Sequence, residues 1–204
     1  MTWVPHRGTL PPFAPLDGRT PVIVLHGLLG SPGNFAPTIA ALGDVPVLAP
    51  AYGRHGTALI DDCLHELRPV FDAATLSSRR GVVDVIAHSY GALLALRLAH
   101  EFDVRTLVGV GPAWRGVAFS RSEGLRRAVG RVAGPGAAQL LRRTPFEVSE
   151  PAGTRVVSLV SSGDRVVPRA SSALGEVIVL PDPVRHGHLP AQAEAIVSAL
   201  RWRD

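Results

Sequence analysis

A serine hydroxyl becomes a useful nucleophile only when a base takes its proton and an acid orients that base. The residues to find first are therefore a Ser, a His and a carboxylate placed just beyond strand ends. Ser89 stands in Ala87-His88-Ser89-Tyr90-Gly91, directly after the apolar run Val82 to Ala87 and directly before Ala92-Leu93-Leu94-Ala95-Leu96. A serine at a strand-to-helix turn needs small residues two before and two after it, because larger side chains would collide across the turn. Such a turn lifts the hydroxyl above the sheet at a helix N-terminus, where the macrodipole and free amides favour developing negative charge. This context reads Ser89 as a nucleophile rather than a plain N-cap serine. Downstream, Asp164 lies in the loop immediately beyond the run Arg155 to Val160, and His186 and His188 follow the run Glu176 to Leu180. Asp182, in the loop after the next run, is the less favoured candidate for the acid. His55 and His65 have no partner in sequence and read as ordinary loop and helix residues.

These side chains need elements to position them. Short apolar runs recur at Pro21 to His26, Val45 to Ala49, Val82 to Ala87, Val104 to Val110, Arg155 to Val160 and Glu176 to Leu180, which makes six strands. Helical spacing fills the intervals Asn34 to Leu42, Thr57 to Leu76 with Pro69 as a kink, Tyr90 to Phe102, and Ala191 to Trp202. Alternation of helices with continuously apolar strands predicts an α/β fold, a mostly parallel sheet of about six strands with helices on both faces. Ligands in such sheets collect beyond the carboxyl ends of the strands, where Ser89, Asp164 and both histidines fall. The stretch from Pro112 to Glu150 breaks the rhythm and reads as an insertion. Within it Ser120 to Ala133 predicts an amphipathic helix through Leu125, Val129 and Val132, Gly134-Pro135-Gly136 predicts a break, and Ala137 to Arg143 a second short helix.

With these residues in view the chain resembles the α/β-hydrolases, and more narrowly the small bacterial lipases and esterases with an Ala-His-Ser-x-Gly elbow. The resemblance runs from Pro21 to Trp202. It includes His26-Gly27 after the first strand, the elbow, the Gly-Asp-Arg-Val-Val-Pro loop around Asp164, and a Gly-His near the C-terminus, in the family's chain order Ser, Asp, His. It lacks the first two antiparallel strands of larger members, and its insertion is longer than a lidless lipase would have. The resemblance implies Ser89 as nucleophile, Asp164 as acid and His188 as base, with His186 the alternative. It also implies an oxyanion hole from the main-chain N–H groups of Leu28 and Tyr90, with His26 as a hydrogen-bonded structural residue beneath. The insertion is expected to be a helical cap. Leu29, Trp114 and Phe119 are expected to contact the acyl group, with Leu125, Val129, Leu140, Leu141 and Phe146 as further liners. The implied activity is hydrolysis of small-molecule carboxylic esters through an acyl-enzyme, without a metal or other cofactor. Thioesterase and acyltransferase chemistry are the alternatives, and a haloperoxidase, a C–C hydrolase or a noncatalytic binding protein would share the fold.

Composition bounds the rest. A chain of 204 residues fits one domain, 1–204, with the insertion 112–150 inside it, and can bury a sizeable core without disulfides. Hydrophobic residues at 46% and charged residues at 19% exclude a disordered chain, and no apolar run reaches the length of a membrane span. The single cysteine, Cys63, excludes an intrachain disulfide, and one Cys with eight His gives no zinc-ribbon spacing. The net charge of +4 arises within Pro112 to Glu150, which holds seven Arg and three Glu. That segment carries no nucleic-acid motif, so no nucleic-acid partner is expected, whereas weak contact with a lipid surface through the Arg-rich cap is. Met1 to Arg7 lacks the pattern of a secretory signal, so a cytoplasmic location is the expectation.

Overall fold

The computed structural model describes residue 10 and residues 14–117, 123–141 and 144–200. All six expected strands form: β1 (Val22–Leu25), β2 (Val47–Leu48), β3 (Val83–His88), β4 (Val104–Val110), β5 (Arg155–Val160) and β6 (Glu176–Val179). They make one parallel sheet in the order β2-β1-β3-β4-β5-β6. Side chains alternate across a strand, so one face of the sheet carries Ile23, Leu25, Val85, Ala87 and Leu107 and the other Val22, Val24, Ile86, Val108 and Val110. On the first face lie α3 (Ile60–Ser77), through Leu64, Leu67 and Phe71, and α4 (Tyr90–Leu98), through Leu93 and Leu94. On the second lie α1 (Ala36–Ala41), through Ile39, and α8 (Ala193–Leu200), through Ile196 and Leu200. Burial on both faces explains why the central strands read as unbroken apolar runs. The edge strand β6 alternates buried and exposed positions and leaves Val177 and Val179 partly open.

Helix boundaries depart from the sequence expectation where backbone conformation intervenes. The helix expected from Thr57 begins at Ile60, because Leu59, at φ −59 and ψ 153, is extended at its N-cap; before it Gly53–Gly56 (α2) is a single turn whose four residues all have positive φ. Pro69 lies within α3, which runs through it to Ser77. The expected Tyr90–Phe102 helix ends at Leu98.

The insertion is helical, with α5 (Glu123–Ala133) and α6 (Pro135–Leu140). Residues 118–122, which include Phe119 and the start of the expected Ser120–Ala133 helix, lie outside the described residues, as do 142–143. The second helix starts two residues earlier than expected: Gly134, at φ 89, breaks the chain alone, and Pro135 takes a first-turn position where its missing N–H has no consequence. The cap docks on the segment after α2, where the Gly136 N–H donates to the Thr57 carbonyl at 3.0 Å. A short helix, α7 (Arg169–Ser172), follows the Asp164 loop, and a 3-10 turn spans His186–Ala191.

Candidate active site

The strand order places the site. After β1 the chain moves outward to β2, then returns past β1 to β3, so the connections leaving β1 and β3 part in opposite directions and open a crevice at their carboxyl ends. His26-Gly27-Leu28 leaves β1 there and Ser89 leaves β3. Ser89 is buried, 7% exposed, and has φ 52 and ψ −116, a conformation an L-residue holds only under constraint from its surroundings. Its N–H donates to the Val110 carbonyl, and its own carbonyl accepts from Ala92 and Ala113, at 3.1 to 3.2 Å. Gly91 is obligatory here, since a Cβ would overlap the carbonyl oxygen of His26.

His186 completes the line. The Ser89 hydroxyl lies 2.9 Å from its Nε2, and its Nδ1–H donates to Asp164 Oδ2 at 2.7 Å. The other carboxylate oxygen of Asp164 accepts the N–H groups of Val166, at 2.8 Å, and Val167, at 3.1 Å. Burial alone would raise the Asp164 pKa, but the hydrogen bond and charge of His186 and these two amides outweigh it and hold the carboxyl below its ordinary value. An ionised acid behind Nδ1 fixes the tautomer that leaves Nε2 free to accept a proton.

The expected base, His188, is not in this line. Its side chain is exposed, while its N–H caps the turn on the Arg185 carbonyl. The reason is helical phase. In a 3-10 turn residues three apart eclipse, so His186 shares the inward face with Leu189, which is fully buried, and His188 points elsewhere.

Two residues that sequence reasoning passed over shape the site. Gly111, just after β4, has φ +52, and a Cβ there would lie 2.6 Å from Leu189 Cδ1, 3.2 Å from Asp164 Oδ2 and 3.3 Å from His186 Nδ1. Both the positive φ and the close approach of the acid and imidazole favour glycine here. His88 packs its ring 4.6 Å from that of His186, and its Nε2 is 3.1 Å from the His186 carbonyl. The glycine just past a strand end was the sequence signal for the first; nothing local signalled the second.

A cavity of about 300 Å³ opens on Ser89 and His186, lined by Leu28, Val117 and Val166 and by Val129, Ala137, Leu140 and Leu141 of the cap. Leu28 thus lines it, whereas Leu29, at φ 55, turns the loop and is not among the lining residues. Trp114 is corrected from liner to core: it is fully buried, with Nε1–H donating to Ser158 Oγ at 2.9 Å, its indole lying against the bare face of Gly109. Phe146 likewise packs against the core, with the Arg97 guanidinium 5.3 Å from its ring centre. Tyr90 buries its ring and turns its hydroxyl toward the Ala58 carbonyl at 3.3 Å, so only its backbone is available to the site. As the first residue of α4, its amide has no acceptor within the helix. Cys63, behind Tyr90, is a poor nucleophile, because burial pushes its thiol up to about 11.

His26 lies beneath the site, 1% exposed and stacked on Tyr52 at 4.3 Å. Its Nδ1–H donates to the Gly27 carbonyl at 2.9 Å, its Nε2 has no partner among the described residues, and burial pushes its pKa down to about 4. It is a neutral structural residue at ordinary pH.

Solved structures that superpose on this chain include Aspergillus fumigatus lipase B, with a TM-score of 0.63 and 16% identity over 89% of this chain and 52% of the lipase. The type II thioesterase BorB from the borrelidin biosynthetic cluster has a TM-score of 0.60 and 21% identity over 89% of each chain. The Paleococcus ferrophilus monoacylglycerol lipase has a TM-score of 0.60 and 16% identity over 89% of this chain and 94% of its own. The chain spans about half the length of lipase B. No protein-family model and no curated protein sequence matches it. At these identities the likeness defines architecture: the chain has the α/β-hydrolase fold.

Proposed function

We propose that the chain is a serine hydrolase that cleaves carboxylic esters through an acyl-enzyme. The observation that carries this reading is the unbroken hydrogen-bonded line Asp164–His186–Ser89 at the mouth of a largely apolar cavity. In this reading Ser89 Oγ attacks the acyl carbonyl while its proton passes to His186 Nε2. The carbonyl oxygen takes up negative charge and is met by the N–H groups of Leu28 and Tyr90, each contributing roughly 3 kcal/mol to the transition state. His186, held by Asp164, returns the proton to the departing alkoxide. Water then enters by the same route, with His186 as base, and the acid leaves. The apolar lining suits an acyl chain, and the exposed arginines 127 and 131 of α5 suit approach to an anionic lipid surface.

A thioester substrate is the second reading, supported by the likeness to the thioesterase BorB. The same residues serve it, since a thiolate replaces the alkoxide as leaving group. The test is hydrolysis of p-nitrophenyl esters from acetate to palmitate, beside acyl-CoA thioesters of matching chain length, by wild type and Ser89→Ala. Ester turnover that vanishes with Ser89 supports the first reading, and thioester turnover preferred at every length supports the second. Folded wild type inert on both series, or Ser89→Ala as active as wild type, overturns both.

A further inference from the structure

The turn Gly53-Arg54-His55-Gly56 has φ values of 56, 50, 67 and 71, so the chain makes one turn in the left-handed sense. Arg54 and His55 adopt this conformation without being glycine, at about 1 to 2 kcal/mol each. The turn's own bonds, Thr57 N–H to the Gly53 carbonyl at 2.7 Å and Gly56 N–H to the Tyr52 carbonyl at 3.0 Å, hold it, and Glu66 Oε2 anchors it from α3 by accepting the Gly53 N–H at 2.8 Å. Strain sustained in this way calls for a reason, and the reason lies in what the turn touches.

It touches the loop after β1. There the Gly30 N–H closes a tight turn on the Gly27 carbonyl at 3.1 Å, with Leu29 at φ 55, itself unfavourable for leucine. His55 Nδ1 is 3.0 Å from the Gly30 carbonyl, on which its N–H donates, and so holds the far end of this turn. Gly56 backs the near end, where a Cβ would lie 2.9 Å from the Gly27 oxygen and 3.5 Å from Leu28 Cα. The Gly27 carbonyl and the Leu28 N–H belong to one planar trans peptide and point in opposite directions. Whatever fixes that carbonyl therefore aims that N–H.

We propose that His55 is a positioning residue for the Leu28 amide, and that the left-handed turn exists to present it. This rests on the reading of Leu28 N–H as an oxyanion donor. An oxyanion donor is valuable only when it is aligned before charge develops, so loosening the Gly27–Gly30 turn lowers kcat and leaves ground-state binding nearly untouched. The side chain of His55 is exposed, so truncating it spares the core.

The test compares wild type, His55→Ala and His55→Asn. Asparagine tolerates the left-handed conformation and carries an N–H donor. Steady-state kinetics on p-nitrophenyl acetate are measured beside inhibition by phenylboronic acid, whose tetrahedral Ser89 adduct places an oxygen in the hole, and thermal melting. We expect His55→Ala to lower kcat about tenfold with KM within about twofold, to weaken boronate inhibition by a similar factor, and His55→Asn to recover most of both. A His55→Ala protein with wild-type kcat and boronate affinity overturns the proposal, even if its melting temperature falls. So does loss of kcat without loss of boronate affinity. If wild-type turnover does not depend on Ser89, the functional reading fails first and the inference falls with it.

Discussion

The burial of His26 makes a quantitative prediction about pH. In the unfolded chain this imidazole titrates near 6.5, and in the folded protein near 4, because desolvation penalises the charged ring. Below pH 6.5 the unfolded state binds a proton that the folded state refuses, so stability falls as pH drops from about 6.5 toward 4 and levels off below that. The full displacement corresponds to about 3 kcal/mol, of which about 2 kcal/mol is lost between pH 7 and pH 5. His26→Asn keeps an N–H that reaches the Gly27 carbonyl and removes the titration. Urea denaturation of wild type and variant at half-unit pH steps measures the difference, and the other seven histidines cancel in it. The variant is expected to start less stable at pH 7, having lost the stacking on Tyr52, and to converge on wild type by about 2 kcal/mol at pH 5. Parallel curves across this range would refute the claim that the ring is held neutral by burial.

Three further outcomes follow from named contacts. His186→Ala should lower kcat/KM on p-nitrophenyl esters by about a thousandfold or more, while His188→Ala stays within about twofold, because only His186 touches both Ser89 and Asp164. Gly111→Ala should cut kcat about tenfold to a hundredfold in a protein that still folds, as read by circular dichroism beside kinetics, since the added methyl meets Leu189 and crowds Asp164 and His186. Trp114→Ala should cost about 3 to 5 kcal/mol in urea denaturation, the signature of a core residue; a change of chain-length preference at full stability would return it to the cavity wall.

Where chemistry depended on local pattern, the sequence was readable. Six apolar runs became six strands, and for the central ones burial on both faces leaves no polar alternation to mislead. Ser89 was readable as an elbow serine because a sharp strand-to-helix turn imposes Ala87 and Gly91 on its neighbours, and Asp164 because it stands in the loop just after β5. The histidine that meets Ser89 was not separable by type, since His186 and His188 are the same residue two positions apart. Their difference is rotational phase in a 3-10 turn, and the buried Leu189, three residues from His186, marks that phase only once the turn is known to be 3-10. Asp84 sits within an otherwise apolar run yet is fully buried, because Arg105 from the neighbouring strand reaches it at 2.5 Å and the Thr106 N–H at 3.1 Å. Trp114 looked like a cavity wall, but the space it fills is made by Gly109 and Ser158, on two different strands.

Local pattern was thus enough for the parallel sheet and for the placing of Ser89 and Asp164 beyond strand ends, because each is encoded by neighbours within about six positions. Long-range packing selects which histidine faces Ser89, which aromatic residues are core, and that His55 meets the Gly30 carbonyl in the loop after β1. Each of those depends on groups distant in the chain meeting at the same strand ends, where a docking angle and not a residue type selects the partner.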